Sequence, residues 1–186
     1  MHRRQKECPR RGRSAPKGVL QGTVDFAKNA VEMSTSTLLP PALTLPDDAI
    51  VHEAFGDRVT FHLTGEQTGG RCTVFSVETP PGGGPPPHWH ENEDEIFHVL
   101  EGRAEFLKDG EWTEVPAGSS VFMPRGSIHG FRNAGDVPLK QMVQAIPAGF
   151  DTFFARCTAE FHREGGPDMA RIMEISAEHG IYYREG

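Results

Sequence analysis

A chain of 186 residues with 37% apolar and 24% charged side chains is sized for one domain with extensions and leaves little room for a second core. Its net charge of −7 is uneven: residues 1–32 hold eight Lys/Arg against three Asp/Glu, and the rest holds eleven against twenty-three. An acidic body argues against a nucleic-acid partner, and no apolar run approaches the ~20 residues of a membrane span.

Three scattered cysteines, Cys8, Cys72 and Cys157, form no C-x-x-C pair. That disfavours a disulfide framework and fits a reducing cytoplasm. Residues 1–18 are basic and almost free of apolar side chains, so disorder is expected. No apolar stretch of the signal-peptide kind comes after them. Residues 19–32 read as a short, marginal helix. Met33 opens STSTLLPPALTLPDD, which resembles a native N-terminus, and translation is expected to begin there. The expected organisation is therefore an N-terminal extension at 1–32, a body at 33–149 and a helical tail at 150–186.

Val59, Phe61 and Leu63 alternate as in a half-buried strand. Arg71–Thr79, rich in β-branched and aromatic residues, reads as a second strand. Pro80–Pro87 lacks several backbone donors and is excluded from a central strand; as a stiff connector it delivers His88 at a fixed angle. The triplet His88-Trp89-His90 leads, after a short polar loop, into the apolar run Glu95–Leu100, ended by the turn signal Glu101-Gly102. Two strands, 103–107 and 112–115, flank an Asp109-Gly110 hairpin turn. Ser119–Met123, His129–Arg132 and Pro138–Ile146 complete the strands. Turns every eight to twelve residues point to an all-β sandwich or barrel. From Phe150 the character changes: apolar residues at 150, 153, 154, 157 and 161 have helical spacing. Gly165-Gly166 breaks this helix. Pro167 opens another, with Met169, Ile172, Met173 and Ser176 on one face and Gly180 at its end. Both helices are expected on the outside of the barrel or across its mouth.

Alternation puts His88 and His90 on one face of a strand, about 7 Å apart. A reversal after His90 brings Glu95 back over the pair. A fourth donor must come from a distant strand, and His129, after the turn Pro124–Ser127, is the best candidate. Three imidazoles and one carboxylate suit one divalent transition metal ion, whether Fe, Mn, Co, Ni or Zn, with positions left open for chemistry. His52 and His62 fall outside this constellation and read as surface or structural residues.

These residues carry a resemblance to the cupin superfamily. Its first motif, G-x5-H-x-H-x3,4-E-x6-G, is met by Gly82, His88, His90, Glu95 and Gly102. Its second, G-x5-P-x-G-x2-H-x3-N, is met by Gly118, Pro124, Gly126, His129 and Asn133. The resemblance covers about residues 50–150. It implies a cupin-type jelly-roll β-barrel with the metal inside, held by His88, His90, Glu95 and His129. The glycines and Pro124 would then be turn formers, and Asn133 would support a turn.

The lead-in GDRVTFHLTGEQTGG, the single motif pair and the C-terminal helices look like single-domain bacterial cupins related to quercetin 2,3-dioxygenase. That activity opens a flavonol ring with O2 and releases carbon monoxide. The function so implied is a metal-dependent dioxygenase adding O2 to a flavonol-like, enolic or aromatic substrate, with Glu95 as both ligand and general base. The alternatives are another cupin enzyme, an isomerase or decarboxylase, and a non-catalytic metal- or small-molecule-binding cupin. Phe97 and Val99 share the face of Glu95 by period two, and Phe131 that of His129. With Met123, Met142 and Phe154 they are candidates for the pocket wall or for plain core. Expected partners are a small-molecule substrate, O2 and a second copy in a homodimer, with no nucleic acid and no membrane.

Overall fold

Buried and partly exposed side chains alternate along the three strands at the centre of the protein: β3 (Thr73–Thr79), β5 (Asp94–Glu101) and β10 (Leu139–Ile146). Period-two burial is what one covered face requires. The computed structural model describes residues 38–184; the basic extension 1–32, its short helix and Met33 lie outside the described residues. The remaining strands are β1 (Ile50–Ala54), β2 (Asp57–Leu63), β4 (His88–His90), β6 (Arg103–Lys108), β7 (Glu111–Pro116), β8 (Ser120–Met123), β9 (Gly130–Asn133) and β11 (Ile181–Tyr183). One six-stranded sheet runs β1-β2-β3-β10-β5-β8, and smaller sheets run β7-β6-β9 and β11-β4. Every pairing is antiparallel. A bridge between His88 and His129 joins β4 to the lead-in of β9, so the smaller sheets act as a second layer facing the first. The result is the expected jelly roll with C-terminal helices.

Two aromatic groups fill the space between the layers. Phe97, Phe106 and Phe131 form a triangle of rings with centroids 5.2–5.9 Å apart. Phe61 and Phe75 meet Phe150 and Phe154 of helix α2 (Phe150–Phe161). A four-residue helix α1 (Gly65–Thr68) is closed at its start by the reciprocal Thr64/Gln67 capping box. Among the described residues no helix is long and apolar enough to cross a membrane.

The C-terminal part departs from expectation in two ways. Helix α3 (Met169–Glu178) buries Ile172, Ile175 and Ser176, whereas Met169 and Met173, expected on that face, are 54% and 47% exposed. The buried stripe is centred further round the helix, where α3 rests on the core, and Asp168 caps its start, accepting from the Arg171 amide. The tail is also more than helical. Gly180, at φ +74°, turns the chain into β11, and β11 pairs with β4, the strand that carries both histidines of the H-x-H pair.

The Pro/Gly-rich connector is locked onto β9. The Gly82 amide donates to Asn133 O at 3.0 Å, and the Asn133 amide donates to Gly83 O at 2.9 Å. Asn133 Nδ2 donates to the carbonyls of Thr79 and Val137, and its Oδ1 accepts from the Gly135 amide, which ties down the turn after β9. Gly84 is the tightest point: at φ +134°, a Cβ there would stand 2.2 Å from Phe131 O. Gly82 at φ +74° has open space around the same position. Gly84→Ala is expected to cost about 2–3 kcal/mol by forcing connector and strand apart. Gly82→Ala should cost about 1 kcal/mol, from backbone strain alone. Urea melts of the two variants check the order.

Asp57, the first residue of β2, is mostly buried, and burial raises its carboxyl from the ordinary 3.8 to about 6. The folded chain thus binds this proton more tightly than the unfolded chain. The associated stability is complete below pH 4 and is lost as pH rises through about 6; at neutral pH the loss is about 3 kcal/mol. Asp57→Asn is therefore expected to raise Tm at pH 7 more than at pH 4. A shift of equal size at both pH values in thermal melts would contradict this.

Candidate metal centre

The backbone brings the first two donors together. His88 and His129 exchange both main-chain hydrogen bonds, at 2.9 and 2.8 Å, which makes them directly opposed residues of an antiparallel pair with side chains on one face. Their ring centroids are 4.6 Å apart. His90, two residues along β4, shares that face, and its carbonyl accepts from the Gly126 amide at 2.7 Å. Glu95 comes from the opposite layer. It sits in β5 between β10 and β8, paired with Ala145 and Met123. The short loop between His90 and Asp94 crosses from one sheet to the other, so the carboxylate meets the imidazoles inside the barrel.

His129 is also positioned through its preceding turn. The Arg125 amide and guanidinium donate three hydrogen bonds of 2.9–3.0 Å to Asp94, the residue before Glu95. Ser127 N closes the turn onto Pro124 O at 3.1 Å, with Gly126 at φ +76°. The loop that delivers the last histidine is thereby fastened to the strand that delivers the carboxylate.

All four side chains are buried, and their donor atoms lie within 4.8 Å of one another. Glu95 Oε2 is 3.0 Å from His129 Nε2 and 3.3 Å from His90 Nε2. Two ligands about 2.1 Å from one ion at a right angle stand about 3 Å apart, so the spacing fits a shared cation. The tautomers fit as well. His88 Nδ1 donates to Pro86 O, and His129 Nδ1 donates to Ser127 O, each at 2.9 Å. A cation can then take each Nε2, that of His129 in place of its 3.0 Å contact with Glu95 Oε2. Both ring nitrogens of His90 are buried without a hydrogen-bond partner among the described residues, and a metal bond would satisfy Nε2.

Electrostatics separate the members. Burial, then the neighbouring rings of His129 and His90, lower His88 to about 4, leaving it neutral. Burial opposes a charge on His90, but Glu93 and Glu95 outweigh it and raise the ring to about 9. Burial alone would raise Glu95; the hydrogen bond from His129 and the adjoining His90 ring instead hold it well below the usual carboxylate range. In the metal-free chain the carboxylate is ionised, and His90 holds a proton that a cation must displace.

The cluster opens on a cavity of about 90 Å3. Its walls include Phe97, Phe131, Phe150, Phe153, Phe154 and Tyr183, and Asp57 also faces it. Of the residues expected at the wall, Phe97, Phe131 and Phe154 are there. Val99 is not: it lies two residues beyond Phe97 on β5 and is 1% exposed in the core. Met123 is not either; it sits opposite Glu95 but borders a separate cleft with Leu107 and Pro124. Met142 lies on the other face of β10 from the lining residue Val143. His62 bonds Ser76 Oγ at 2.9 Å, and His52 packs edge-on against Phe61, both outside the cluster.

Three features escaped the sequence reading. Phe150 and Phe153 look like helix core yet line the cavity, which agrees with the expected alternative of a helix across the mouth. Tyr183 reaches the wall through β11. Glu93, 6% exposed, lies with its Oε2 3.7 Å from His90 Nδ1. The two phenylalanines did carry a signal, the i, i+3 spacing of an aromatic helical face; one acid among Glu91, Glu93, Asp94 and Glu95 carried none.

The cupin domain model matches residues 75–143, the segment that holds all four donors. Over 133 residues the chain is 31% identical to quercetin 2,3-dioxygenase of Bacillus subtilis (strain 168), an alignment covering 64% of this chain and 38% of that protein. Over 85 residues it is 30% identical to the oxalate-binding protein of Thermotoga maritima, covering 45% of this chain and 70% of that one. The solved structure of the polyketide cyclase RemF from Streptomyces resistomycificus has a TM-score of 0.50 and 27% identity, covering 57% of this chain and 80% of its own. The chain spans 38–48% of the length of three of the curated relatives it matches. With its two complete motifs, its double-layered barrel and these likenesses, the chain belongs to the cupin superfamily.

Proposed function

We propose that this chain is a metal-dependent cupin enzyme that adds O2 to a small enolic or phenolic substrate. The observation carrying this reading is the buried cluster of three imidazoles and one carboxylate opening on an aromatic-walled cavity. His88, His90, His129 and Glu95 would hold one divalent cation such as Fe, Mn, Co, Ni or Zn. When bound, that cation supplies Lewis acidity, lowering the pKa of a substrate hydroxyl that reaches it.

The protein's own groups then divide the work. Phe97, Phe131, Phe150 and Phe154 orient a flat, apolar substrate and keep water out. Glu95, ionised and at hydrogen-bond range of the same space, accepts the hydroxyl proton. His88 and His129 keep their Nδ1 protons on backbone carbonyls and so take no part in proton transfer. Cavity size narrows the substrate: about 90 Å3 is well below the ~300 Å3 at which drug-sized pockets begin. A single enolic ring or a β-diketone suits it, whereas a flavonol requires α2 to withdraw.

A second reading is a binding module for a small dicarboxylate. The size of the cavity and the likeness to the Thermotoga oxalate-binding protein favour it. Against it, none of the described lining side chains is Lys or Arg, so a dianion would find only the cation for its charge. The homodimer is supported by edge strand β1, where Ile50 and Val51 are 48% and 38% exposed, and by the exposed Leu43 and Leu45 in the segment that precedes it.

The test is O2 uptake by protein reconstituted separately with Fe, Mn, Co and Ni, given acetylacetone, a flavonol or oxalate. Uptake with the diketone above that with the flavonol is expected. Oxalate binding with no O2 uptake in any arm would replace this reading with the second. Glu95→Gln should retain measurable metal while turnover falls by about 100-fold or more; unchanged turnover would remove Glu95 from the proton-accepting role.

A further inference from the structure

The three imidazoles are not supported alike. His88 and His129 each direct Nδ1 at a backbone carbonyl, a neutral acceptor. His90 directs Nδ1 at Glu93 Oε2, 3.7 Å away, with both side chains enclosed at 1% and 7% exposure. Neither His90 Nδ1 nor Glu93 Oε2 has a hydrogen-bond partner among the described residues. A carboxylate in that setting is costly unless something compensates it, and the imidazole edge is the compensating group within reach. The surroundings hold it there. Two residues back, the Glu91 amide donates to Gly180 O at 2.8 Å, and Asn92 Nδ2 donates to His179 O at 3.0 Å, pinning the loop to the start of β11. On the far side, Gly149 leaves room that a side chain would take, since a Cβ there would stand 3.2 Å from Glu93 Oε1.

We propose that Glu93 is a positioning residue for the metal site: when His90 binds a metal through Nε2, Glu93 closes the 3.7 Å gap and accepts a hydrogen bond from His90 Nδ1–H, fixes the tautomer that turns Nε2 toward Glu95 and His129, and lends that ring negative charge. The inference rests on the metal-binding reading above. An imidazole hydrogen-bonded to a carboxylate is a stronger donor than one bonded to a carbonyl, and removal of such partners weakens metal binding by about 10–100-fold. His90 is accordingly the strongest of the three nitrogen donors, and a second negative charge lies behind the first four ligands.

Zinc affinity, measured by competition with a chromophoric chelator at pH 7, tests this without any turnover. Glu93→Ala is expected to weaken zinc about 10–100-fold. Glu93→Gln, which keeps an acceptor oxygen and loses the charge, should fall between it and the parent. In the zinc-loaded parent, 15N spectra should show His90 protonated at Nδ1. If Glu93→Ala lowers only the melting temperature of the metal-free protein and leaves zinc affinity within twofold, the residue is merely structural and the inference fails. Should Glu93→Ala not fold, Glu93→Gln decides alone: parental affinity overturns the charge argument. A parent with no zinc affinity sinks the metal reading itself, a different failure from parental affinity in both variants.

Discussion

The two main-chain hydrogen bonds between His88 and His129 are the constraint on which the site depends. They join residues forty-one positions apart and fix which faces of two strands look at each other. Side-chain geometry then has little freedom: directly opposed residues in an antiparallel pair share a face, and His90 shares it by period two. The locking of Gly82, Gly83 and Gly84 against Phe131–Asn133 extends the same contact along the connector. What looks like a metal-binding motif is therefore first a strand-pairing motif, in which glycine and proline determine where imidazoles arrive.

Glu95 enters under a different constraint. It occupies an interior position of the six-stranded sheet, with partners on both sides, so its backbone has little room to move. Outside the barrel, the two donor-bearing segments are joined by the Asp94–Arg125 pair, whose side chains are 27% and 48% exposed. A pair in that setting contributes little to overall stability. Its value is geometric, since three donors converging on one carboxylate fix the angle at which the Pro124–Ser127 turn leaves the sheet. The cavity beside the cluster is then walled by the same rings that make the core, so that packing and cavity shape draw on one set of side chains.

The jelly roll and the four donors were legible in the sequence because turn chemistry and period-two alternation are local signals. Histidines two apart after a proline run, and a carboxylate opening an apolar strand, can be read without knowing the pairing. The misses were questions of direction. Period two says that Phe97 and Val99 share a face; it does not say where along that face the void ends. Helical spacing groups Met169 and Met173 with Ile172, yet the centre of the buried stripe depends on what α3 rests against. Phe150 and Phe153 had the right period and an undetermined neighbour. Glu93 stood in an acidic run where no pattern marks one acid as enclosed, and Ile181–Tyr183 is too short to show alternation.

The pairing of β11 with β4 has a consequence for how the protein is made. β4 emerges from the ribosome about ninety residues ahead of the strand that covers its outer edge. Closing so long a loop is slow compared with forming hairpins. Until Ile181–Tyr183 dock, the strand bearing His88 and His90 has an unpaired border, the kind of border that recruits stray chains. The wall that Ile181 and Tyr183 give the cavity is thus the last part to be put in place, after all four donor residues have emerged.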